Sequence, residues 1–214
     1  MSNIQYGLIS ETDKNTLEAT IDLIIKDAND GFINVLEIGV YGGDTGNGLF
    51  QYIKSKKIIP NIIGIDNNKD GEPLRFKYDK FIEGNSNEVY NQIPDNSQDL
   101  IFIDGLHTFA GVVSDFFCYA PKVKKGAYLA FHDTGKHIDP LSGWQGVGDR
   151  NDPDMCLGGV RKALKEIGLF NEWGGISMGG EMSHHIGCRG FELTYDEADP
   201  NDDAGGICVF KKLY

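Results

Sequence analysis

The chain has 214 residues, 40% of them hydrophobic, and its 32 acidic and 20 basic residues give a formal net charge of −12. This composition predicts a globular protein, and the length fits a single domain over residues 1–214 with a sizeable core. The negative charge repels phosphate backbones and anionic lipid surfaces, so neither nucleic acid nor a membrane is expected as a partner.

In chain order, the patterns predict a helix over residues 16–28, then a strand over 35–40 and a helix over 45–56 that Asp44 or Thr45 caps. Two strands follow, one ending at Asp66 and one ending near Gly84, and then a strand in DLIFIDG, a helix over 108–120 and a strand in AYLAFHD. The last predicted elements are a helix in GVRKALKEIGLF and a strand in GGICVFKKL. The strands are near-continuous apolar runs, which is typical of a parallel sheet covered on both faces. Their alternation with helices predicts a doubly wound, Rossmann-like α/β sheet.

Within this fold, residues 1–31 are predicted to be an N-terminal helical segment and residues 32–134 a cofactor-binding core. Residues 135–214 would supply a lid loop after strand five, a helix and the C-terminal strands. The stretch after His132 is rich in Gly, Pro and Asp, as a long loop over a site would be. The acidic stretch of residues 196–206, DEADPNDDAGG, is predicted to be a solvated surface loop.

The four cysteines are Cys118, Cys156, Cys188 and Cys208, and none forms a C-x-x-C pair. This spacing predicts reduced thiols rather than a disulfide framework or a zinc site. The N-terminal stretch has no basic and apolar regions of a secretory signal, and no segment approaches the roughly 20 apolar residues of a membrane span. We therefore predict a cytoplasmic protein.

Polar residues and glycines lie at the ends of four predicted strands. They are Glu37, Gly39, Gly42 and Gly43 at the first strand, Asp66 at the second, Asp104 and His107 at the fourth, and His132 and Asp133 at the fifth. Ligands of open α/β sheets bind outside the carboxyl ends of the strands. These residues are therefore predicted to converge on one site.

The glycine turn EIGVYGGDTG allows a sharp bend and the close approach of a ligand to the main chain. Its spacing is not the G-x-G-x-x-G of dinucleotide enzymes, which disfavours a dehydrogenase. Asp66 follows the turn at the end of the second strand, where a carboxylate can accept the hydrogens of two ribose hydroxyls. A helix cap or a solvated turn residue is the alternative for Asp66.

The series VLEIGVYGGDT, IIGID, DLIFIDGLHTFAGVVSDF and GAYLAFHDT resembles the class I S-adenosylmethionine-dependent methyltransferases. Within that class it is similar to the small-molecule and sugar O-methyltransferases, a branch with macrolide-sugar O-methyltransferases and cephalosporin hydroxylase-like proteins. The resemblance covers residues 35–134. It implies a seven-stranded sheet of order 3-2-1-4-5-7-6, with GGICVFKKL as the antiparallel strand 7.

The resemblance also implies S-adenosyl-L-methionine as the cofactor. The positions that would surround it are Glu37, Gly39, Tyr41, Gly42, Gly43, Asp66, Asn67, Asn85, Ser86 and Asp104. Glu37 and the glycine turn would contact the methionine part and Asp66 the ribose. Asn85 and Ser86 would lie beside the adenine, while Asp104 would face both the methionine end and the acceptor.

Some members of this branch bind a divalent metal, usually Mg²⁺, and their ligand positions correspond here to Asp104, His132 and Asp133. The two carboxylates suit Mg²⁺. The imidazole of His132 departs from the acidic pattern of the branch and suits a softer ion such as Mn²⁺, Fe²⁺ or Zn²⁺. The sequence leaves open whether a metal binds and which one it is.

The sugar O-methyltransferases use a histidine at the position of His107 as general base, and the resemblance implies that role here. The chemistry agrees, because an acceptor hydroxyl must lose its proton and an imidazole titrates near neutral pH. Asp104 would act with His107 by positioning the acceptor oxygen. The alternative is that His107 only caps the following helix.

Several other side chains are weaker candidates. His184 and His185 are adjacent, so in an extended chain they point to opposite faces and make no metal pair, although one could line the acceptor pocket. His137 and Trp144 lie in the predicted lid loop. Phe109, Phe116 and Phe117 are predicted to be core residues of a helix face.

The sequence thus predicts an enzyme that transfers a methyl group from S-adenosylmethionine to a hydroxyl of a small molecule, with a sugar as one candidate acceptor. A homo-oligomer is compatible with the sequence. Two alternatives stay open. One is a related metal-dependent enzyme on the same fold, such as an aminopropyl transferase or a hydroxylase-like protein, and the other is a non-catalytic cofactor-binding subunit.

Overall fold

The computed structural model describes residues 6, 9–27, 31–67, 74–134, 159–169, 190–198 and 206–214. Its elements are α1 (Glu11–Asp27), β1 (Phe32–Ile38), α2 (Asp44–Ser55), β2 (Ile59–Asp66), β3 (Lys80–Glu83), α3 (Ser86–Val89), β4 (Gln98–Ile103), α4 (Phe109–Tyr119), β5 (Val123–Phe131), α5 (Gly159–Glu166), β6 (Phe191–Ala198) and β7 (Gly206–Lys212). The predicted lid loop with His137 and Trp144, the pair His184 and His185, and two cysteines, Cys156 and Cys188, lie outside the described residues.

The seven strands form one sheet in the order β3-β2-β1-β4-β5-β7-β6. Strands β1 to β5 are parallel, and β7 runs antiparallel to both of its neighbours, β5 and β6. The predicted doubly wound fold, its strand order and the direction of its last strand are therefore confirmed.

Two apolar cores cover the two faces of the sheet. Leu36 and Ile38 of β1 belong to the core that includes residues of α4 and α5. Val35 belongs to the opposite core, which includes residues of α1 and α2. Because both faces are covered, the central strands are apolar on both sides, which explains the continuous apolar runs in the sequence.

Helix α1 begins at Glu11, five residues before the predicted start, because Ser10 and Asp13 form a capping box. The Asp13 amide donates to Ser10 Oγ (3.1 Å), and the Ser10 amide donates to Asp13 Oδ2 (3.2 Å). The spacing Ser-x-x-Asp is a recognised helix-start signal, so this boundary was readable from the sequence.

The predicted cap of α2 by Asp44 or Thr45 is wrong. The residue before this helix is Gly43, which has a positive φ of 83° and makes no side-chain cap. Asp44 instead forms an ion pair with Arg75, with Nη2 and Oδ2 2.5 Å apart. Helix α4 does have a side-chain cap, since Thr108 Oγ1 accepts from the Gly111 amide at 3.0 Å.

Two further predictions require correction. The stretch of residues 196–206 is not all loop, because β6 continues through its first three residues and Asp196 pairs with Arg161 of α5 at 2.8 Å. Phe117 is 48% exposed and is not a core residue, whereas Phe116 is buried.

Cys118 and Cys208 are free thiols, as predicted. Among the described helices, none combines the length and apolar character that a membrane crossing requires.

Candidate active site

The carboxyl ends of the central strands bring the predicted site residues to one edge of the sheet. Three backbone hydrogen bonds join the residues that follow the strands: Gly39 N to Ile65 O (2.9 Å), Asp104 N to Ile38 O (2.8 Å) and His132 N to Ile103 O (3.0 Å). These bonds extend the ladders by one residue each. Gly39, Asp104 and His132 therefore lie next to one another.

The glycine turn after β1 packs directly on the backbone of Asp104. A Cβ atom on Gly39 would lie 2.0 Å from the Asp104 carbonyl oxygen, and Gly39 has a φ of +82°. Only glycine combines this backbone conformation with so close an approach. The turn is also braced by Asp66, whose Oδ2 accepts from the amides of Val40 (2.7 Å) and Tyr41 (2.9 Å). Asp66 thus shapes the turn, and its predicted contact with ribose stays a prediction.

Glu37 is a buried acid at the end of β1, with 1% of its surface exposed. The hydroxyl of Tyr78 donates to its Oε2 at 2.5 Å. Burial raises the pKa of Glu37 to about 8, and the hydrogen bond from Tyr78 only partly opposes this. Glu37 is therefore mostly protonated at neutral pH in the unliganded protein. Sequence reasoning did not identify Tyr78, which lies between β2 and β3.

Three predicted cofactor-binding residues cluster after β2 and β3: Asn67, and the two predicted to lie beside the adenine, Asn85 and Ser86. The side-chain amide of Asn67 donates to Asn85 Oδ1 at 3.4 Å. Ser86 Oγ donates to Asp115 Oδ1 at 2.5 Å, and the hydroxyl of Tyr119 donates to the carbonyl of Ser86 at 2.7 Å. Asp115 is buried, and burial raises its pKa to about 6. The structure thus brings Asn67, Asn85 and Ser86 together, and their role in binding stays a prediction.

Asp104 accepts from two imidazoles through the same oxygen. Its Oδ1 lies 3.1 Å from His107 Nε2 and 3.0 Å from His132 Nδ1. Burial alone would raise the pKa of Asp104, but the two imidazoles outweigh burial and hold this pKa well below its ordinary value. Asp104 is therefore a carboxylate throughout the physiological range of pH.

His107 lies between two carboxylates. Its Nδ1 is 2.9 Å from Asp133 Oδ2, and its Nε2 faces Asp104. Burial lowers the pKa of His107, but Asp104 and Asp133 outweigh burial and raise this pKa to about 9. The imidazole is thus mainly protonated at neutral pH while no cation shares its two carboxylates. Thr108 caps α4, so His107 does not serve as the helix cap.

Asp104, His107 and Asp133 form a group with the geometry of a metal site, since one potential ligand atom from each lies within 4.8 Å of the others. Two carboxylates and an imidazole fit a divalent cation. Asp133 lies in the left-handed region at φ 53°, a conformation that Asp adopts more readily than most residues other than glycine.

The predicted ligand His132 has a different environment from the other two. Its Nδ1 contacts Asp104 Oδ1, and its Nε2 lies 3.1 Å from Asp13 Oδ2. Both ring nitrogens are therefore engaged with carboxylates, and His107 takes the place of His132 in the group with metal-site geometry. A metal contact of His132 stays a prediction, and it would require the loss of one of these hydrogen bonds.

Comparisons with known proteins identify similarity over part of the chain. Residues 36–134, just under half of the chain, match the family model described as a methyltransferase domain. An uncharacterized protein, R132, of Acanthamoeba polyphaga mimivirus is 30% identical over 122 residues, which is 47% of this chain and 51% of that protein. The chain thus spans about half the length of this curated relative.

Solved structures share the fold at low sequence identity. An O-methyltransferase from Bacillus cereus in complex with SAH has a TM-score of 0.58 and 16% identity, with 99% of this chain and 86% of that chain covered. The MycE methyltransferase of the mycinamycin biosynthetic pathway, in complex with Mg and SAH, has a TM-score of 0.52 and 20% identity, with 94% and 53% covered. The family model supports the predicted resemblance to methyltransferases over residues 36–134, and the solved structures show the predicted fold.

Proposed function

We propose that the chain is a class I methyltransferase, on the basis of its fold and of the domain match of residues 36–134, and that it transfers the methyl group of S-adenosylmethionine to a hydroxyl of a small molecule. One observation carries the choice of this chemistry. Asp104 supports the glycine turn through its backbone and holds His107 through its carboxylate. The proposed cofactor cradle and the proposed base therefore share one residue.

The charges of the site suit this cofactor. S-adenosylmethionine carries a positive sulfonium and a positive ammonium group, and carboxylates at three strand ends, Asp66, Asp104 and Asp133, favour a cationic ligand. In the proposal, Glu37 and the glycine turn hold the methionine part and Asp66 the ribose. Asn67, Asn85 and Ser86 line the adenine. When bound, S-adenosylmethionine supplies an electrophilic methyl group.

His107 is the proposed general base. An acceptor hydroxyl loses its proton as the methyl group transfers, and the deprotonated imidazole can take it. The raised pKa of His107 means that the base form must first be generated. A positive charge near Asp104 and Asp133 would favour that form, because it would oppose the protonated imidazole.

A divalent cation fits the carboxylates of Asp104 and Asp133, with His107 or His132 as a further donor, and MycE was solved with Mg. When bound, such a cation would lower the pKa of an acceptor hydroxyl. The protein itself contributes orientation, since holding an acceptor in line with a methyl donor removes much of the entropic barrier.

Calorimetry with S-adenosylhomocysteine, followed by turnover with methyl-labelled S-adenosylmethionine, tests the proposal. We expect S-adenosylhomocysteine to bind and NAD not to bind, and label to appear in one or more hydroxyl compounds of a panel containing sugars and phenols. The turnover series is run with Mg²⁺, with Mn²⁺ and with EDTA. Failure of S-adenosylhomocysteine to bind would contradict the proposal, and transfer of an aminopropyl group from decarboxylated S-adenosylmethionine, with release of methylthioadenosine, would favour the related enzyme class.

A further inference from the structure

We propose that Asp13 of the N-terminal helix α1 is a positioning residue, which fixes the imidazole of His132 and through it the carboxylate of Asp104. Asp13 lies outside the matched methyltransferase domain of residues 36–134. The proposal rests on the proposed function for its effect on turnover. The contact itself is a property of the unliganded protein and can be measured there.

The imidazole of His132 lies between two carboxylates. Its side chain is 10% exposed, its Nε2 lies 3.1 Å from Asp13 Oδ2, and its Nδ1 lies 3.0 Å from Asp104 Oδ1. Its ring also packs edge-on against Phe102, with the centroids 5.9 Å apart. A carboxylate can only accept, so the ring donates from both nitrogens when both contacts are made. The orientation of His132 is therefore set from both sides.

Asp13 is buried in the first turn of helix α1. It is 1% exposed, and its Oδ2 accepts from Ser10 Oγ at 2.7 Å as well as from His132. Its other oxygen, Oδ1, is buried with no hydrogen-bond partner among the described residues. A capping box works equally well at an exposed helix start, so capping alone does not explain why this carboxylate is buried. The contact with His132 provides a reason.

The consequence for the site follows from the shared oxygen of Asp104. His132 and His107 both contact Asp104 Oδ1, so His132 fixes the direction from which one of the two donors approaches. Without Asp13, the polar contacts that the described residues leave to the ring of His132 are those with Asp104 and Asp133. Outer hydrogen-bond partners of this kind typically change activity or metal affinity by about 10- to 100-fold when they are removed.

The test uses Asp13→Asn and Asp13→Ala in the full chain, with Ser10→Ala as the matched control. Ser10→Ala removes the capping hydroxyl but keeps the Asp13 carboxylate. NMR of the His132 ring nitrogens in the unliganded protein reports the contact, and steady-state kinetics report its effect. We expect Asp13→Asn to move the Nε2 signal and to lower kcat about tenfold with an unchanged KM for S-adenosylmethionine. Asp13→Ala should lower kcat more than Asp13→Asn does, and Ser10→Ala should lower only the melting temperature.

Three results would overturn the proposal: an unmoved ring signal in Asp13→Asn, an unchanged kcat in that variant, or an equal loss of kcat in Ser10→Ala. The last result would reduce Asp13 to a capping residue. If Asp13→Ala fails to fold, the isosteric Asp13→Asn still decides the matter. Wild-type protein without methyl transfer would contradict the proposed function, whereas an unmoved ring signal contradicts the role of Asp13 alone.

Discussion

Glu37 and Asp104 are two acids at the same edge of the sheet, at the ends of the neighbouring strands β1 and β4, yet their protonation differs. The pKa of Glu37 is raised to about 8, chiefly because the side chain is buried and the hydrogen bond from the neutral Tyr78 hydroxyl only partly offsets burial. The pKa of Asp104 is lowered below its ordinary value, because two imidazoles outweigh the effect of burial. The partner, rather than burial alone, decides the charge of an acid at this edge.

This difference divides the site into two ends. The end with Glu37 and Tyr78 is neutral at pH 7 and lies beneath the glycine turn, where a Cβ on Gly46 would approach both side chains. The end with Asp104, His107 and Asp133 is charged and has the geometry to hold a cation or a proton.

Asp104→Asn should have the largest effect, because it removes the carboxylate that both imidazoles share. We expect turnover to fall by a factor on the order of 100 or more. The pKa of His107 should also fall, since one of the two carboxylates that raise it is lost. Turnover assays and an NMR titration of His107 measure the two effects. Asp95→Asn, at the exposed partner of the buried Lys122, is the control and should retain activity.

His107→Gln separates a base from a metal ligand. As the base, His107 should contribute about 100-fold or more to turnover, with the affinity for S-adenosylhomocysteine unchanged. Turnover, calorimetry and a Mn²⁺ titration are measured on the same preparation. Unaltered turnover would remove His107 as the base. A loss of Mn²⁺ affinity as large as in Asp104→Asn would make it a ligand.

Glu37→Gln tests the neutral end through the pH dependence of stability. The folded pKa of Glu37 lies above its ordinary value of 4.5, so the folded state holds the proton more tightly and stability is lost as the pH rises from 4.5 towards 8. Gln keeps an acceptor for Tyr78 and has no such loss. We expect the variant to be more stable than wild type at pH 8 by roughly 2–4 kcal/mol.

Denaturation curves between about pH 5 and pH 9 measure this effect, because they cover most of the interval between the ordinary and the raised pKa of Glu37. The exposed Glu83 provides the control Glu83→Gln. Parallel curves for wild type and Glu37→Gln would show that Glu37 is ionised at neutral pH. A remaining fall in Glu37→Gln is expected from His107, whose pKa is also raised, from 6.5 to about 9, and therefore has the same sign.

Tyr78→Phe should have the smallest effect. It removes the only hydroxyl that donates to Glu37 Oε2 among the described residues, and a net hydrogen bond contributes about 1 kcal/mol. The pKa of Glu37 should rise further, because the hydrogen bond from Tyr78 lowers it. Urea denaturation at about pH 6 and about pH 8 measures the loss of stability, because the protonation of Glu37 changes between these two values. Tyr90→Phe, at a half-exposed ring, should be neutral.

The sequence was sufficient for the fold and for the edge at which the site lies. Long apolar runs separated by glycine turns identify the strands β1, β2, β4 and β5, and a parallel sheet then places Asp66, Asp104 and Asp133 at one edge. Strand β6 was the exception. Its residues include Glu192, Asp196 and Glu197, and acidic residues of this kind are typical of a solvated loop rather than a strand.

The contacts of the side chains were beyond the sequence, because they join residues far apart in the chain. His132 and Asp13 are separated by 119 positions, and Tyr78 and Glu37 by 41. Asp13 looks like an ordinary capping residue in a one-dimensional pattern. The sequence therefore placed His132 among the metal ligands without any signal for the partner on its other side.

The two outer strands of the sheet have a consequence for association with other chains. β3 has only four residues, and Lys80 and Glu83 at its ends are exposed. β6, at the opposite margin, exposes Glu192 and Glu197. Shortness and charge on marginal strands discourage pairing with a foreign strand. The described margins of the sheet are thus protected against growth into a continuous intermolecular ribbon.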